Sequence, residues 1–284
     1  MRSKLFVPGS SSALFAKALA GQADAISIDL EDSVVEDRKS EAREFVGRFL
    51  RSSAVTSSEK VIVVRCNALN TRHFPHDLAV VVVPGLSMLN LPKVESADDV
   101  LAAVTALQSA EAGNNVKIPI RILATIESPK ALRAASEIAA AHPRIAGLQL
   151  GLSDLFDPLG IDRNDTASIH AAMFAVRMAA GEAGIFAYDG AFVDVRDPEG
   201  FRAEAEMAHR LGYWGKSCIH PSQVELANEV FVPSAEDIAF ARRVLEARDQ
   251  AESDGAGAFM VDGRMIDLPT IRRAQVIVAT SRRS

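Results

Sequence analysis

Several short hydrophobic segments of this chain end at a charged residue, and segments with helical spacing separate them. Glu127 follows residues 122–126, Arg65 follows residues 61–64, and Asp154 stands just after another segment of this kind. Charged side chains at the carboxyl ends of successive parallel strands are typical of active sites in α/β barrels. The pattern therefore predicts a strand–helix repeat with a polar site at one end.

The alternation predicts eight strands. They cover residues 5–7, 25–29, 61–65, 87–92, 120–126, 145–151, 185–188 and 214–217. Eight strands with intervening helices form a (β/α)8 TIM barrel, which needs about 250 residues. The chain has 284 residues. We expect a barrel over residues 1–222 and a short helical C-terminal extension over residues 223–284, which caps the barrel or crosses to a neighbouring subunit.

Two segments need a separate interpretation. Residues 78–83 contain four consecutive valines, which favour a strand by propensity, but the alternation requires a helix there, so we predict a short helix. In the extension we expect a helix over residues 235–251 and a glycine-rich turn over 252–258. A hairpin over 259–267 with an Asp-Gly turn and a helix over residues 268–280 would complete it.

Composition excludes several classes of function. The net charge of -6 argues against a nucleic-acid partner, because such proteins usually present a basic face. Only two cysteines occur, Cys66 and Cys218. We therefore expect no disulfide framework, and we expect a cytoplasmic location. The N-terminus does not resemble a signal peptide, and no apolar stretch has the length of a membrane span.

Glu127 and Asp154 are the candidate metal ligands. Their separation of one strand–helix unit predicts that they lie at neighbouring strand ends. Two carboxylates, together with waters and substrate oxygens, make a typical Mg²⁺ site. The alternative is that each carboxylate caps the helix that follows it.

Arg65 and Lys93 are the candidate anion-binding residues. A guanidinium group at a strand end can bind a substrate carboxylate through two parallel hydrogen bonds. Arg65 could equally pair with Asp29, Glu31 or Glu127, and both roles can coexist. Lys93 could form a Schiff base, or it could pair with Glu31 or Glu95.

Three further features could contribute to a site. Strand alternation directs Asp29 and Glu31 to the same side, where they would orient waters or hold Arg65. His220 could act as an acid or base, although a histidine beside a proline is more often a structural corner. The segment that starts at Pro8 and Gly9 could bind phosphate through backbone N–H groups, but it lacks the lysine of a P-loop.

Seven segments, in order, resemble the citrate lyase β-subunit family, the CoA-thioester lyases of the HpcH/HpaI aldolase superfamily. They are residues 2–9, 28–34, 64–67, 91–95, 126–128, 151–155 and 215–221. The resemblance implies the barrel fold, Mg²⁺ on Glu127 and Asp154, and Arg65 on the carboxylate or oxo-acid end of an acyl-CoA substrate. It places Pro8, Gly9 and Lys93 among the substrate-binding residues.

The resemblance also implies a homotrimer or hexamer in which a tail aspartate enters an adjacent subunit's site. Residues 265–269 look like that tail segment, which makes Asp267 a catalytic candidate beside Arg65 and Glu31. The implied reaction is retro-aldol cleavage of citramalyl-, malyl- or citryl-CoA to an oxo acid and acetyl-CoA or a homologue. The alternatives are a citrate lyase β-subunit that acts on a carrier-protein thioester within a complex, a malyl-CoA thioesterase, and a non-catalytic barrel.

Overall fold

Eight parallel strands form a closed barrel in the computed structural model, which describes residues 1–253 and 258–281. Each strand pairs with the next, and the eighth pairs with the first. The strands are β1 (Ser3–Pro8), β2 (Ala25–Asp29), β3 (Val61–Arg65), β4 (Met88–Leu91), β5 (Arg121–Ile126), β6 (Ile145–Leu150), β7 (Phe186–Ala191) and β8 (Lys216–Cys218). The predicted barrel is confirmed.

Helices connect the strands of the barrel. They are α1 (Phe15–Ala20), α2 (Lys39–Leu50), α3 (Ser53–Thr56), α4 (His73–Val81), α5 (Ala97–Gly113), α6 (Pro129–Arg133), α7 (Ala135–Ala140), α8 (Leu152–Phe156), α9 (Thr166–Glu182), α10 (Pro198–Arg210) and α11 (Pro221–Val230). Short 3-10 turns cover Ser12–Leu14, Glu36–Arg38 and Asp157–Leu159. No helix in the described part of the chain is both long and apolar enough to cross a membrane.

The barrel interior is apolar in one layer and polar in another. Val63, Met88, Leu123 and Tyr188 belong to one buried cluster, contributed by four different strands. Elsewhere in the interior the buried Lys4 ammonium group donates a hydrogen bond to Gln149 and lies 4.6 Å from the centre of the Phe6 ring. Burial lowers the pKa of Lys4 well below its ordinary value.

The helix predicted over residues 78–83 is present, as the alternation required, but it begins earlier, at His73, and Val82 and Val83 lie beyond its end. Helix α4 ends at Val81, and Val81 and Val82 are fully buried. Propensity favoured a strand, but burial against neighbouring elements decides the outcome for β-branched residues.

Several predicted boundaries were wrong. The helix expected after Glu127 is two helices, α6 and α7, which are separated at Ala134. Strand β7 continues past Tyr188 to Ala191, and β8 begins at Lys216 rather than at Trp214. The limits of both strands lie further along the chain than predicted because the two strands pair with each other, with Asp189 opposite Lys216.

The chain divides into two compact units, residues 1–230 and 231–284. The second unit contains α12 (Ala235–Ser253), a hairpin of β9 (Phe259–Val261) and β10 (Arg264–Ile266), and α13 (Leu268–Ser281). Its helices and hairpin share an apolar cluster that includes Val244, Val261 and Ile266.

The predicted hairpin is confirmed. Asp262 and Gly263 have φ values of 51° and 75°, as a type I′ turn requires. Residues 254–257 of the predicted glycine-rich turn lie outside the described residues, and residues 252–253 belong to α12.

Candidate active site

Arg65 lies at the carboxyl end of β3, directly opposite Asp29 at the end of β2. Its Nε and Nη2 atoms donate two hydrogen bonds to the Asp29 carboxylate, both 2.7 Å long. Such a two-point contact fixes the plane of a guanidinium group. One edge of the Arg65 guanidinium group is therefore held by Asp29, and the remaining nitrogen, Nη1, is left for other partners.

Asp29 is itself held by the chain that follows it. Its two oxygens accept hydrogen bonds from the backbone N–H groups of Glu31 (2.9 Å) and Ser33 (3.0 Å). Burial alone would raise the pKa of Asp29, but the hydrogen bonds from Arg65 and from these N–H groups outweigh it, so the pKa lies below its ordinary value. Asp29 is therefore an ionised support for Arg65 at neutral pH.

Two more carboxylates and a lysine extend this cluster. Arg65 Nη1 lies 3.2 Å from Glu31 Oε2 and 3.3 Å from Asp32 Oδ2. Lys93 Nζ lies 2.7 Å from Glu31 Oε1 and 3.4 Å from Asp32 Oδ1. The structure thus shows Arg65 paired with Asp29 and Glu31, as the ion-pair interpretation expected. We call these five residues the Arg65 cluster.

Lys93 is held in its charged state. Burial lowers its pKa, but the contacts with Glu31 and Asp32 more than offset this, and the pKa lies above its ordinary value. A protonated lysine is a poor nucleophile, so the geometry does not favour a Schiff base. The other possible partner, Glu95, pairs instead with Lys130 at 3.0 Å.

Glu127 follows β5 directly and is buried. Its Oε1 atom accepts a 2.6 Å hydrogen bond from the backbone N–H of Lys93, where Lys93 has a φ of 53°. Burial, together with repulsion from Glu31 and Asp154, raises the pKa of Glu127 to about 7. Such a carboxylate is stabilised by any cation that binds beside it.

Gly151 makes room for the Glu127 carboxylate. A Cβ atom at Gly151 would lie 2.8 Å from Glu127 Oε2 and 2.7 Å from Glu127 Cβ. Its φ of -113° is open to any residue, so space rather than backbone conformation requires glycine here. Because Oε1 accepts the hydrogen bond from Lys93 N–H, Oε2 is the oxygen of Glu127 that can receive a ligand.

Neither candidate metal ligand acts as a helix cap. Ser128 is the residue that caps α6, since its hydroxyl accepts a 3.1 Å hydrogen bond from Ala131 N–H. Asp154 lies in the first turn of α8, where the N-cap is Gly151 and no side chain caps the helix. The capping alternative is therefore not observed for Glu127 or Asp154.

Glu127 and Asp154 line one cavity of about 470 Å³. The other residues around it are Leu69, Asn70, Lys93, Glu95, Asp99, Ser128 and Lys130. Across residues 1–253 and 258–281, no three or more His, Cys, Asp or Glu side chains form a group that could hold a metal by themselves. Two carboxylates beside an open space suit Mg²⁺, which keeps several water or substrate ligands.

Pro8 and Gly9 lie beside the Arg65 cluster. Gly9 N–H donates a 2.7 Å hydrogen bond to the carbonyl of Asp29, and a Cβ atom at Gly9 would lie 2.7 Å from that oxygen. Proline has no N–H and that of Gly9 is engaged, so these two residues do not supply free backbone donors for phosphate. The segment instead packs β1 against the loop that positions Asp29.

Asp267 belongs to the second unit. Its carboxylate accepts hydrogen bonds from the backbone N–H (3.1 Å) and the hydroxyl (2.7 Å) of Thr270, at the start of α13. These hydrogen bonds hold the pKa of Asp267 below its ordinary value. As the structure describes it, Asp267 is the N-cap of a helix in the second unit.

The remaining candidates have structural roles. His220 Nδ1 lies 2.8 Å from Ser222 Oγ and accepts from Ser222 N–H at 3.2 Å, which makes a hydrogen-bonded corner. Cys66 and Cys218 are buried free thiols, and burial raises the pKa of Cys66 well above its ordinary value and that of Cys218 to about 12. Neither thiol resembles a nucleophile, which needs a lowered pKa.

Sequence reasoning missed a buried ion network on β7, β8 and α10. Lys216 Nζ lies 2.6 Å from Asp189 Oδ2 and 2.7 Å from Glu204 Oε1, and Glu204 also binds Arg163. The sequence did contain a signal for this network, because the charged residue Lys216 lies within the strand predicted over residues 214–217. Arg163 lies in the loop after α8, so the network anchors the segment that begins with Asp154.

The fold and the site place this chain in the class of (β/α)8 barrel proteins with a polar site at one mouth, built from carboxylates, an arginine and a lysine. A model of the family described as HpcH/HpaI aldolase/citrate lyase matches residues 2–221. The citrate lyase subunit beta of Haemophilus influenzae is 37% identical to this chain, with 98% of this chain and 95% of that protein covered. The L-malyl-CoA/beta-methylmalyl-CoA lyase of Rhodobacter capsulatus is also 37% identical, with 98% and 93% covered.

A solved structure of the same kind of protein is similar to this chain in fold and in sequence. The protein CitE from Mycobacterium tuberculosis, in complex with magnesium, acetoacetate and coenzyme A, has a TM-score of 0.77 and 31% identity, with 99% of each chain covered. This chain belongs to the HpcH/HpaI aldolase/citrate lyase family, and the resemblance found in the sequence is confirmed.

Proposed function

We propose that this protein is a Mg²⁺-dependent carbon–carbon lyase. Its substrate is a 3-hydroxyacyl-CoA that carries a free carboxylate, and its products are an oxo acid and acetyl-CoA or a homologue. The observation that carries the proposal is the link that Glu31 makes between Arg65, held along one edge by Asp29, and Lys93, which lines a cavity together with Glu127 and Asp154. This arrangement combines an anion-binding group with two carboxylates that attract a hard cation.

Arg65 binds the substrate carboxylate in this proposal. Asp29 fixes the guanidinium plane, so little rotational freedom is lost when the substrate arrives. Glu31 is the positioning residue between the two cations, because its oxygens lie 3.2 Å from Arg65 and 2.7 Å from Lys93. Lys93 adds positive charge at the wall of the cavity, and its N–H orients Glu127.

Glu127 and Asp154 are the residues that would hold Mg²⁺. The fit rests on the donor set, on the raised pKa of Glu127, and on the cavity that both carboxylates line. When bound, the ion supplies Lewis-acid stabilisation of the negative charge that develops on the substrate oxygen.

The cleavage itself is a retro-aldol (reverse Claisen) reaction. A base takes the proton of the 3-hydroxyl group, the bond between C2 and C3 breaks, and its electron pair passes to the thioester as an enolate. An acid then protonates C2 to give acetyl-CoA. Asp267 is our candidate for that protonation or for positioning a water, and following the family resemblance it acts from a neighbouring subunit of a trimer or hexamer.

The relatives support this proposal. One is named a malyl-CoA/beta-methylmalyl-CoA lyase, and the M. tuberculosis structure contains magnesium and coenzyme A. The buried, reduced cysteines suit the cytoplasm, where acyl-CoA substrates would be met.

The test incubates the purified protein with Mg²⁺ and with citramalyl-, malyl- and citryl-CoA in separate reactions. Mass spectrometry follows the oxo acid and the acyl-CoA. Chelation with EDTA and the Asp154→Ala variant are the controls, and both should abolish turnover. Release of free CoA with an intact hydroxy-diacid would instead identify a thioesterase.

A second candidate is the β-subunit of a citrate lyase complex. The H. influenzae relative carries that name, and such a protein would act on a thioester of an acyl carrier protein. Turnover of a carrier-bound thioester, with no turnover of any free acyl-CoA, would favour this candidate over the proposed function.

A further inference from the structure

We infer that a buried ion network behind the candidate active site fixes the segment that carries Asp154, and thereby makes the metal site prefer Mg²⁺ to a larger divalent cation. The network consists of Arg163, Asp189, Glu204 and Lys216, and we call it the Lys216 network. None of these four described residues is among those that line the cavity. The inference rests on the proposed function, because it concerns the same metal site, and it makes the four residues positioning residues rather than ligands.

Lys216 lies at the centre of the network. Its Nζ atom donates hydrogen bonds to the carboxylates of Asp189 (2.6 Å) and Glu204 (2.7 Å) and to the backbone carbonyl of Gly190 (3.2 Å). All three protons of the ammonium group therefore have an acceptor, and the three charged side chains are buried. Such a group of buried ions keeps one arrangement, because a displacement would leave a charge without its partner.

Gly190 brings the network into contact with the turn between β6 and α8. A Cβ atom at Gly190 would lie 2.5 Å from the carbonyl oxygen of Leu150 and 3.9 Å from the backbone nitrogen of Leu152. The backbone of β7 therefore lies directly against the end of β6. Gly151, between these two leucines, packs as closely against Glu127, since its own added Cβ would lie 2.7 Å from Glu127 Cβ. The network thus supports the turn from the side opposite to the metal site.

Arg163 attaches the far end of the same segment. Its Nη1 and Nη2 atoms donate hydrogen bonds of 2.7 and 3.0 Å to the two carboxylate oxygens of Glu204, and a contact at two points fixes the orientation of both groups. Asp154 lies in the chain between this attachment and the one at Leu150. Both ends of the segment that carries Asp154 are therefore held by one network, which limits how far its carboxylate can move relative to Glu127.

Divalent cations of different size respond differently to the spacing of two carboxylates. Mg²⁺ requires short bonds in a nearly octahedral arrangement, whereas Ca²⁺ accepts longer bonds and a variable number of ligands. A segment free to move would therefore bind Mg²⁺ less well but would bind Ca²⁺ nearly as well as before. By limiting the movement of Asp154, the Lys216 network favours the smaller ion. Residues that orient metal ligands typically contribute about 10- to 100-fold to metal affinity.

The experiment measures metal binding to the metal-free protein without any substrate. Electron paramagnetic resonance follows the binding of Mn²⁺, and displacement of Mn²⁺ by Mg²⁺ or Ca²⁺ gives the dissociation constants of those two ions. The main variant is Arg163→Met, in which Glu204 keeps Lys216 as its counter-ion, so the fold should persist. We expect the dissociation constant for Mg²⁺ to rise about tenfold and that for Ca²⁺ about threefold or less, so that the preference for Mg²⁺ falls.

Matched variants separate positioning from a general loss of stability. Arg202→Met is the control for Arg163→Met, because Arg202 lies on α10 with Glu204 but forms an exposed ion pair with Glu229, and it should change neither dissociation constant. Arg163→Lys retains a charged hydrogen-bond donor and should recover part of the Mg²⁺ affinity.

A second variant tests the other attachment of the segment. The Cβ atom added by Gly190→Ala would displace the carbonyl of Leu150, so the preference for Mg²⁺ should fall as it does in Arg163→Met. The control is Gly113→Ala, whose added Cβ has no atom within 4 Å. Circular dichroism verifies that each variant is folded at the temperature of the binding measurement.

The outcomes separate this inference from the proposed function. A lower preference for Mg²⁺ in Arg163→Met or in Gly190→Ala, with the two controls unchanged, supports the inference. An unchanged preference in both variants would overturn it and leave the lyase function in place. Equal weakening of Mg²⁺ and Ca²⁺ would also overturn it, because a smaller fraction of native protein has that effect. If the wild type binds no Mn²⁺, or if Asp154→Ala binds it equally well, the metal site of the proposed function is itself refuted.

Discussion

Replacing Gly151 by alanine should damage the site through Glu127. The new Cβ atom would lie 2.7 Å from Glu127 Cβ and 2.8 Å from Oε2. The first distance is the more serious, because a Cβ atom cannot move without its backbone. Either β5 and β6 separate slightly, or the Glu127 side chain rotates and loses the hydrogen bond from Lys93 N–H.

The magnitude follows from these contacts. Extra volume in a packed site typically costs about 1–3 kcal/mol of stability, and a displacement of about 1 Å near the reacting groups can cost about a hundredfold in rate. We expect kcat/KM to fall at least about tenfold, and the Mg²⁺ concentration for half-maximal activity to rise.

The assay is a Mg²⁺ titration of activity on the preferred acyl-CoA, with circular dichroism to verify folding. Gly113→Ala is the matched control, since no atom lies within 4 Å of its added Cβ and alanine is the better helix former at the end of α5. If Gly151→Ala keeps the wild-type kcat/KM and Mg²⁺ requirement, the assignment of Glu127 Oε2 as a ligand position is refuted.

Four further predictions concern other parts of the site and fold. Arg65→Lys should lower kcat/KM about a hundredfold because lysine cannot form two parallel hydrogen bonds, and an effect mainly on stability would contradict the assigned role. The pKa of Glu127 is raised from 4.5 to about 7, so the native state binds the extra proton and the metal-free protein should lose stability as pH rises from about 4.5 to 7, with Mg²⁺ restoring it above that range. Thermal unfolding with and without EDTA checks this, and Glu127→Gln should reduce the slope, to which Asp189 and Glu31 also contribute because their pKa values are raised as well. Lys216→Met should cost about 3–5 kcal/mol in chemical denaturation, because the buried Asp189 loses its counter-ion and Glu204 keeps only Arg163, whereas removal of Arg202 from its exposed pair with Glu229 should change little. Asp267→Asn retains an N-cap acceptor, so folding and Mg²⁺ binding should persist while turnover falls at least tenfold in the Mg²⁺-saturated assay; full activity would remove Asp267 from the mechanism.

The valine-rich segment shows how far the pattern of the whole chain outweighs local preference. Its β-propensity was misleading, and only the requirement for a helix between the third and fourth strands gave the right answer. Strand ends were less predictable, as β7 and β8 show, because hydrogen bonding between strands fixes their limits. Asp189 becomes part of a strand because Lys216 lies opposite it.

For the candidate site residues, the sequence predicted their positions but not their roles. Glu127 and Arg65 could be found from the sequence because both stand directly at the end of a hydrophobic strand. The choice between metal ligand and helix cap could not be made there, since both roles need a carboxylate at the same position. The structure separates them through Ser128, which takes the capping role.

The sequence by itself determined the fold class, the order of the strands and the end of the barrel at which charges gather. These follow from periodicity and from the identity of residues at strand ends, which are local properties. Only the tertiary structure decided that Asp29 is the main partner of Arg65, that Gly151 makes space for Glu127, and that Leu69 forms part of the cavity wall. Such contacts join residues far apart in the chain, and their energies depend on burial and distance, which no local pattern specifies.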